Sequence, residues 1–120
     1  MGHSGNNFAG RNFQLWEFKV SHGQLLIRSA KSALHSTNID FIFRGVSYVC
    51  LPRYLDGMTL AEPTSEDLVL VSQITSKEAD KESLFVLVSK CQRHFVVAEK
   101  LRVEENEVDI FDSSLLDFNI

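Results

Sequence analysis

Residues Glu17–Ser29 read EFKVSHGQLLIRS, with two apolar runs meeting at Ser21, His22 and Gly23. If His22-Gly23 is the loop of a tight hairpin, Gly accepts a positive φ and His tolerates one. Ser21 then faces Gln24, Val20 faces Leu25, Phe18 faces Ile27 and Trp16 faces Ser29. One face of the hairpin becomes Trp16, Phe18, Val20, Leu25 and Ile27, almost wholly apolar. The other sets Lys19 across from Leu26 and Glu17 across from Arg28, a charge pair worth about 0.2–1 kcal/mol. A slip of one residue would mix the two faces. A turn therefore explains Ser21 and His22 without chemistry. As hydrolase residues they fare worse: neighbours on a tight turn diverge, and the chain has no G-x-S-x-G elbow.

The same reasoning extends along the chain. In NIDFIFRGVSYVCL, an Arg44-Gly45 loop sets Phe43 against Val46, Phe41 against Tyr48 and Ile39 against Cys50, with Cys50 pointing inward as a small hydrophobe. ESLFVLVS reads as a strand, KCQRH as a turn and FVVAEKLRV as the returning strand. A last hairpin around Glu105-Asn106 would pair Val103 with Val108, Leu101 with Ile110 and Arg102 with Asp109, although a Gly is wanted after Asn in such a loop. PRYLDGMTLAEPT is a loop holding an Asp56-Gly57 turn.

One stretch, TSEDLVLVSQITSKEAD, serves two templates. Thr64 or Ser65 followed by Glu66 and Asp67 marks a helix start, and Lys77 suits a helix end. Val, Ile and Thr in its middle favour a strand. The expectation is one helix near 64–79, with a strand as the alternative.

At 120 residues the chain suffices for one domain with its own core. The pattern predicts a mainly β, antiparallel meander of about seven strands closing into a small barrel or curved sandwich, spanning 13–120. Residues 1–12, MGHSGNNFAGRN, have little to bury and are expected to form a flexible arm. The tail's Leu115, Leu116, Phe118 and Ile120 are expected to dock on the domain.

The stretch LWEFKVSHGQLLIRS resembles the opening hairpin of a group of small bacterial β-rich proteins, and the similarity extends to IDFIF and VEENEVDIF. It departs from that group at Ala30, where the group has Pro. The resemblance implies a small bacterial β-domain and brings no activity, ligand or catalytic residue with it.

Composition removes several function classes. The net charge of −4 argues against a general nucleic-acid binder, which needs a cationic surface. Residues 1–60 carry six Lys/Arg and three Asp/Glu, and residues 61–120 carry six and thirteen, so the acidity lies in the second half. No run approaches a membrane span, and no signal segment opens the chain. Two cysteines are too few for a disulfide framework and suit a reducing cytoplasm.

Cys91 and His94 have the spacing of half a zinc site, but no second pair completes it, so neither metal nor cofactor is expected. As nucleophile and base they would need an oxyanion loop that the sequence does not offer. Glu99 is the third catalytic candidate. Under strict alternation it shares an apolar face with Val97, Leu101 and Val103, which would raise its pKa; a bulge near Ala98–Lys100 would turn it outward instead. The acidic run Glu104, Glu105, Glu107, Asp109, Asp112 and Asp117 lacks the alternation of a calcium loop.

The function expected is a binding or protein-interaction module without catalytic activity. Its contacts would run through edge strands, LFVLVS among them, and an acidic hairpin, with Glu17, Arg28, Glu104, Glu105, Glu107 and Asp109 as binding residues. Partners would be another protein or a second copy, with neither nucleic acid nor membrane. The alternatives are a small enzyme using Cys91/His94 or Glu99, and a barrel binding a small apolar ligand.

Overall fold

The computed structural model describes residue 8 and residues 10–115. Strands β1 (Asn12–Lys19), β2 (Gln24–Ser29), β3 (Asn38–Arg44), β4 (Tyr48–Cys50), β5 (Tyr54–Asp56) and β6 (Thr59–Ala61) precede a helix α1 (Ser65–Thr75). Strands β7 (Leu84–Ser89), β8 (Gln92–Val97) and β9 (Lys100–Asn106) follow it. They form a five-stranded sheet, β5-β1-β2-β3-β9, and a four-stranded sheet, β4-β8-β7-β6, antiparallel throughout. The mainly β expectation holds. Among the described residues, nine strands replace the expected seven because the chain breaks where it passes between sheets and because the 52–64 loop contributes β5 and β6.

Side-chain alternation builds the layers. Phe13, Leu25, Ile27, Phe41 and Phe43 from the larger sheet meet Leu87 and Val96 from the smaller one. On the far side of the smaller sheet, Leu84, Val86 and Phe95 pack against Val71 of α1. On the far side of the larger sheet, Trp16, Leu26 and Ile42 pack against Leu115. Phe8 stacks edge-on against Phe13 and Phe41, and Arg11 bonds the Ser29 hydroxyl at 2.9 Å. The rest of the expected arm before Gly10, and Leu116, Asp117, Phe118 and Ile120, lie outside the described residues.

The first hairpin forms with a different register. Phe18 faces Leu25 and Glu17 faces Leu26, and a bulge between Leu15 and Glu17 takes up Trp16. The turn is longer than two residues because Val20 already bends back, its carbonyl accepting from the Gly23 amide at 3.0 Å. His22 and Gly23 both have left-handed φ, 60° and 53°. Phe18 and Val20, expected inside, are exposed.

The second hairpin does not form. β3 is flanked by β2 and β9, so neither edge is free for β4, which joins β8 in the other sheet. Gly45, at φ 68°, turns the chain out. Cys50 is therefore exposed instead of inward. Nor does the third hairpin form: β9 ends at Asn106 and, among the described residues, pairs with β3 alone. The Asn106 side chain is engaged instead, accepting from Asn38 and donating to Asp40, both at 2.9 Å. Residues 107–115 run back over the outer face of the larger sheet.

β7 is flanked by β6 and β8, so LFVLVS is a central strand and offers no edge. The turn after it is Lys90-Cys91 alone, with left-handed φ of 52° and 63°, and Gln92–His94 already belong to β8. Two sheets form in place of one closed barrel because the ladder is interrupted where β3 passes into β4 and β8 into β9. There the Ser47 amide donates to the Val97 carbonyl and the Glu99 amide to the Arg44 carbonyl, both at 2.9 Å.

Candidate functional site

The three catalytic candidates lie apart. Cys91 is exposed at the β7–β8 turn. His94 faces Leu87 across the ladder, on the side of β8 that looks toward the larger sheet. Burial holds its imidazole below the ordinary value. Glu99 sits at the corner between sheets and is exposed, the outcome expected of a break in the alternation. It lines a polar cleft of about 330 Å³ with His22, Arg44, Gly45 and Lys100. The backbone builds this cleft: the carbonyls of His22 and Gly23 accept from the amides of Gly45 and Val46 at 3.0 and 3.1 Å. Sequence reading set His22 and Glu99 in separate hairpins, and the corner brings them to one rim. Among the described residues no group of three or more His, Cys, Asp or Glu could hold a metal ion.

The expected binding residues are largely occupied within the chain. Arg28, expected on an exposed hairpin face, is fully buried; the altered register puts Gln14 in place of Glu17 across from it on β1, and β3 sets Asp40 on its other side. Glu17 accepts from the Ser113 hydroxyl. Glu104 accepts from Asn106 at 2.8 Å and pairs with Arg102 at 3.3 Å. Glu105 accepts from the Thr37 hydroxyl. The Glu107 carbonyl takes Lys31 Nζ at 2.7 Å, and Asp109 accepts from the Phe111 amide at 2.9 Å. The Glu17–Ser113 bond and the Lys31–Glu107 bond tie the tail to β1 and to the loop after β2.

The sheet edges differ from one another. β4, β5 and β6 are three residues each. β9 is longer, but its sequence KLRVEEN places charges along the edge, the usual device against unwanted strand addition.

Among the described residues, α1 carries an exposed cluster of apolar side chains. Its inner side carries Val71 and the half-buried Leu68. Its outer side exposes Val69, Leu70 and Ile74, at 57%, 45% and 53%. Beside this stripe lie two shallow grooves, one of about 300 Å³ along Ser65, Glu66, Val69, Leu70 and Gln73, the other of about 390 Å³ reaching Glu78 and Ala79. Both ends of the helix are fastened. Thr64 and Asp67 form a reciprocal capping box. Asp67 also receives Arg93 Nη2 at 2.6 Å and Nε at 3.1 Å. That bond holds the Asp67 carboxyl below its ordinary pKa, against the opposing effect of burial. At the other end Ser76 takes a left-handed φ of 60°, and the Ala79 amide donates to Ser72 Oγ at 2.9 Å.

Sequence reading used these apolar residues only to choose between helix and strand. The available signal was their number. Leu68, Val69, Leu70, Val71 and Ile74 span more of the helix circumference than one buried stripe needs.

No family model, no curated protein and no solved structure matches the chain. Among the described residues no helix is long and apolar enough to cross a membrane.

Proposed function

We propose that this protein is a non-catalytic binding module that receives a protein partner on the solvent face of α1. The observation that carries this reading is the exposure of Val69, Leu70 and Ile74 side by side on a helix fastened at both ends. An apolar stripe of this kind, rimmed by polar residues, is the usual mark of an interaction surface. Because α1 is already held in place, docking would cost little ordering entropy. The catalytic alternative draws less support, since Cys91, His94 and Glu99 lie in three separate places. A ligand between the sheets draws less too, because Phe13, Phe41 and Phe43 pack into that space with Leu87 and Val96. Two free, exposed cysteines suit the bacterial cytoplasm we propose as its setting.

Site-specific photocrosslinking tests this. A benzophenone side chain at position 70, irradiated in the producing cells, is expected to give a discrete adduct. The same group at position 100, on the charged strand β9, is expected to give none, and Val69→Glu with Ile74→Glu is expected to abolish the adduct at 70. No adduct at 70, or an adduct only at 100, overturns the reading.

A further inference from the structure

We propose that the polar cleft at the corner between the sheets binds a phosphate monoester of a small hydroxylated molecule. The site is separate from the α1 face and depends on none of its residues.

The last rung of the larger sheet supplies the charge. Leu26 and Ile42 pair with each other, Leu26 also with Glu17 and Ile42 also with Arg102, and this rung looks outward, away from the smaller sheet. Side chains two residues apart along a strand share a face. Lys19, Gln24, Arg44 and Lys100 each lie two residues beyond that rung, so they form the next rung on the same outer face. Lys19 is paired with Gln24, and Arg44 with Lys100. Gln24 is buried and donates to the Ser21 carbonyl at 3.3 Å. Three cations thus lie along one line in a chain whose net charge is −4.

Arg44 and Lys100 stand directly across the ladder, at a Cβ separation of about 4.5–5.5 Å. Like charges placed so repel, and an oxyanion held between them replaces repulsion with shared attraction. The same two residues line the cleft of about 330 Å³ with His22, Gly45 and Glu99, a volume suited to a small molecule. Its walls are fixed by backbone. The amides of Gly45 and Val46 donate to the carbonyls of His22 and Gly23, and the Glu99 amide donates to the Arg44 carbonyl. A guanidinium contributes a planar fork and an ammonium a point charge, and both are established phosphate binders.

Glu99 selects the rest of the ligand. A carboxylate at this rim disfavours a bare anion but accepts hydrogen bonds from hydroxyl groups. Gly45 makes room for it: a Cβ at position 45 would lie 2.5 Å from Glu99 Cδ. The charged residues of the neighbouring rung are engaged with others, Glu17 with Ser113 and Arg102 with Glu104. A phosphate on Arg44 and Lys100, with hydroxyls directed to Glu99, uses both signs of charge that the cleft presents.

Chemical-shift titration of the full chain is the test, with glycerol phosphate, inorganic phosphate and glycerol as probes. Both phosphates are expected to shift the amides of Gly45, Glu99 and Lys100, and glycerol to shift none. Glycerol phosphate is expected to bind about three- to tenfold tighter than inorganic phosphate. Arg44→Gln and the exposed change Lys100→Gln are each expected to weaken both phosphates about tenfold. Lys90→Gln, in the β7–β8 turn, is expected to change neither. Glu99→Ala is expected to tighten inorganic phosphate and to erase the preference for glycerol phosphate.

No shift at these amides with either phosphate overturns the proposal. So does glycerol binding as tightly as its phosphate, or phosphate binding that Arg44→Gln and Lys100→Gln together leave intact. A preference for glycerol phosphate that survives Glu99→Ala overturns the choice of a hydroxylated ester.

Discussion

Arg28 and Asp40 face each other across the β2–β3 ladder with neither side chain exposed. The guanidinium grips the carboxylate with both prongs, Nε to Oδ1 at 2.7 Å and Nη2 to Oδ2 at 2.9 Å. Arg28 Nη1 donates to the Asp112 carbonyl at 2.9 Å, and the guanidinium carbon lies 5.3 Å from the centre of the Trp16 ring. Asn106 completes the set by donating to Asp40 Oδ2 at 2.9 Å. One buried ion pair thus joins β2, β3, β9 and the returning tail.

Removing one member should cost much more than removing both. Arg28→Met leaves a buried carboxylate without its cationic partner, and such broken pairs lose about 3–5 kcal/mol. Arg28→Met combined with Asp40→Leu leaves no orphaned charge and should be more stable than Arg28→Met alone. Urea unfolding of the three proteins checks this; equal losses in the single and double variants would show that the pair is not coupled.

The same pair should make stability sensitive to acid. Burial pushes the Asp40 carboxyl up, but bonds from Arg28 and Asn106 outweigh it, and the group ends below its ordinary value. A depressed carboxyl stabilises the fold fully above its unfolded value, about 3.9. That stability is lost as pH falls through the lower, folded value. Asp67 is shifted the same way and adds to the loss. Urea midpoints measured downward from neutral pH should therefore fall in the acid range, and less steeply in Asp40→Asn. An Asp40→Asn slope matching the wild type would contradict the assignment.

Local chemistry was readable where neighbours in sequence are neighbours in space. The Thr64–Asp67 cap, the Asp56-Gly57 turn and the left-handed His22-Gly23 pair could all be found along the chain. Long-range choices could not. Phe43 and Val46 match well as hairpin partners, yet β3 already has β2 and β9 on its two edges, and no local pattern records that an edge is taken. The bulge at Trp16 adds one residue and changes what every earlier residue of β1 faces. Arg28 suited a surface charge pair equally well, because alternation gives the face of a residue but not whether a tail will cover that face.

The cap offers a narrow test of how α1 is held. Thr64→Ala removes the hydroxyl that accepts from the Asp67 amide at 3.0 Å, and losing such a cap costs about 1 kcal/mol. Amide exchange should quicken first at Asp67 and Leu68. Unchanged exchange there would mean that Arg93 alone fastens the helix start.

Gly45 should resist replacement for reasons of backbone. A Cβ there would lie 2.5 Å from Cδ of Glu99, but that side chain is exposed and can swing aside. Its φ of 68° remains, and the left-handed conformation costs a residue with a Cβ about 1–2 kcal/mol. Gly45→Ala should lose about that much, and adding Glu99→Ala should recover little. Full recovery in the double variant would assign the cost to the side-chain collision.

The Lys90-Cys91 turn should be improvable by the same physics. Both residues hold left-handed φ that Asn and Gly adopt more readily, and Asn-Gly is the favoured pair for a two-residue hairpin loop. Lys90 gives up only an exposed pairing with Asp56 at 3.5 Å, and such surface pairs contribute little. Lys90→Asn with Cys91→Gly should therefore raise stability by about 0.5–2 kcal/mol, read from urea unfolding. A loss of stability instead would mean that the Cys91 side chain, or the Lys90–Asp56 pair, contributes more than its exposure suggests.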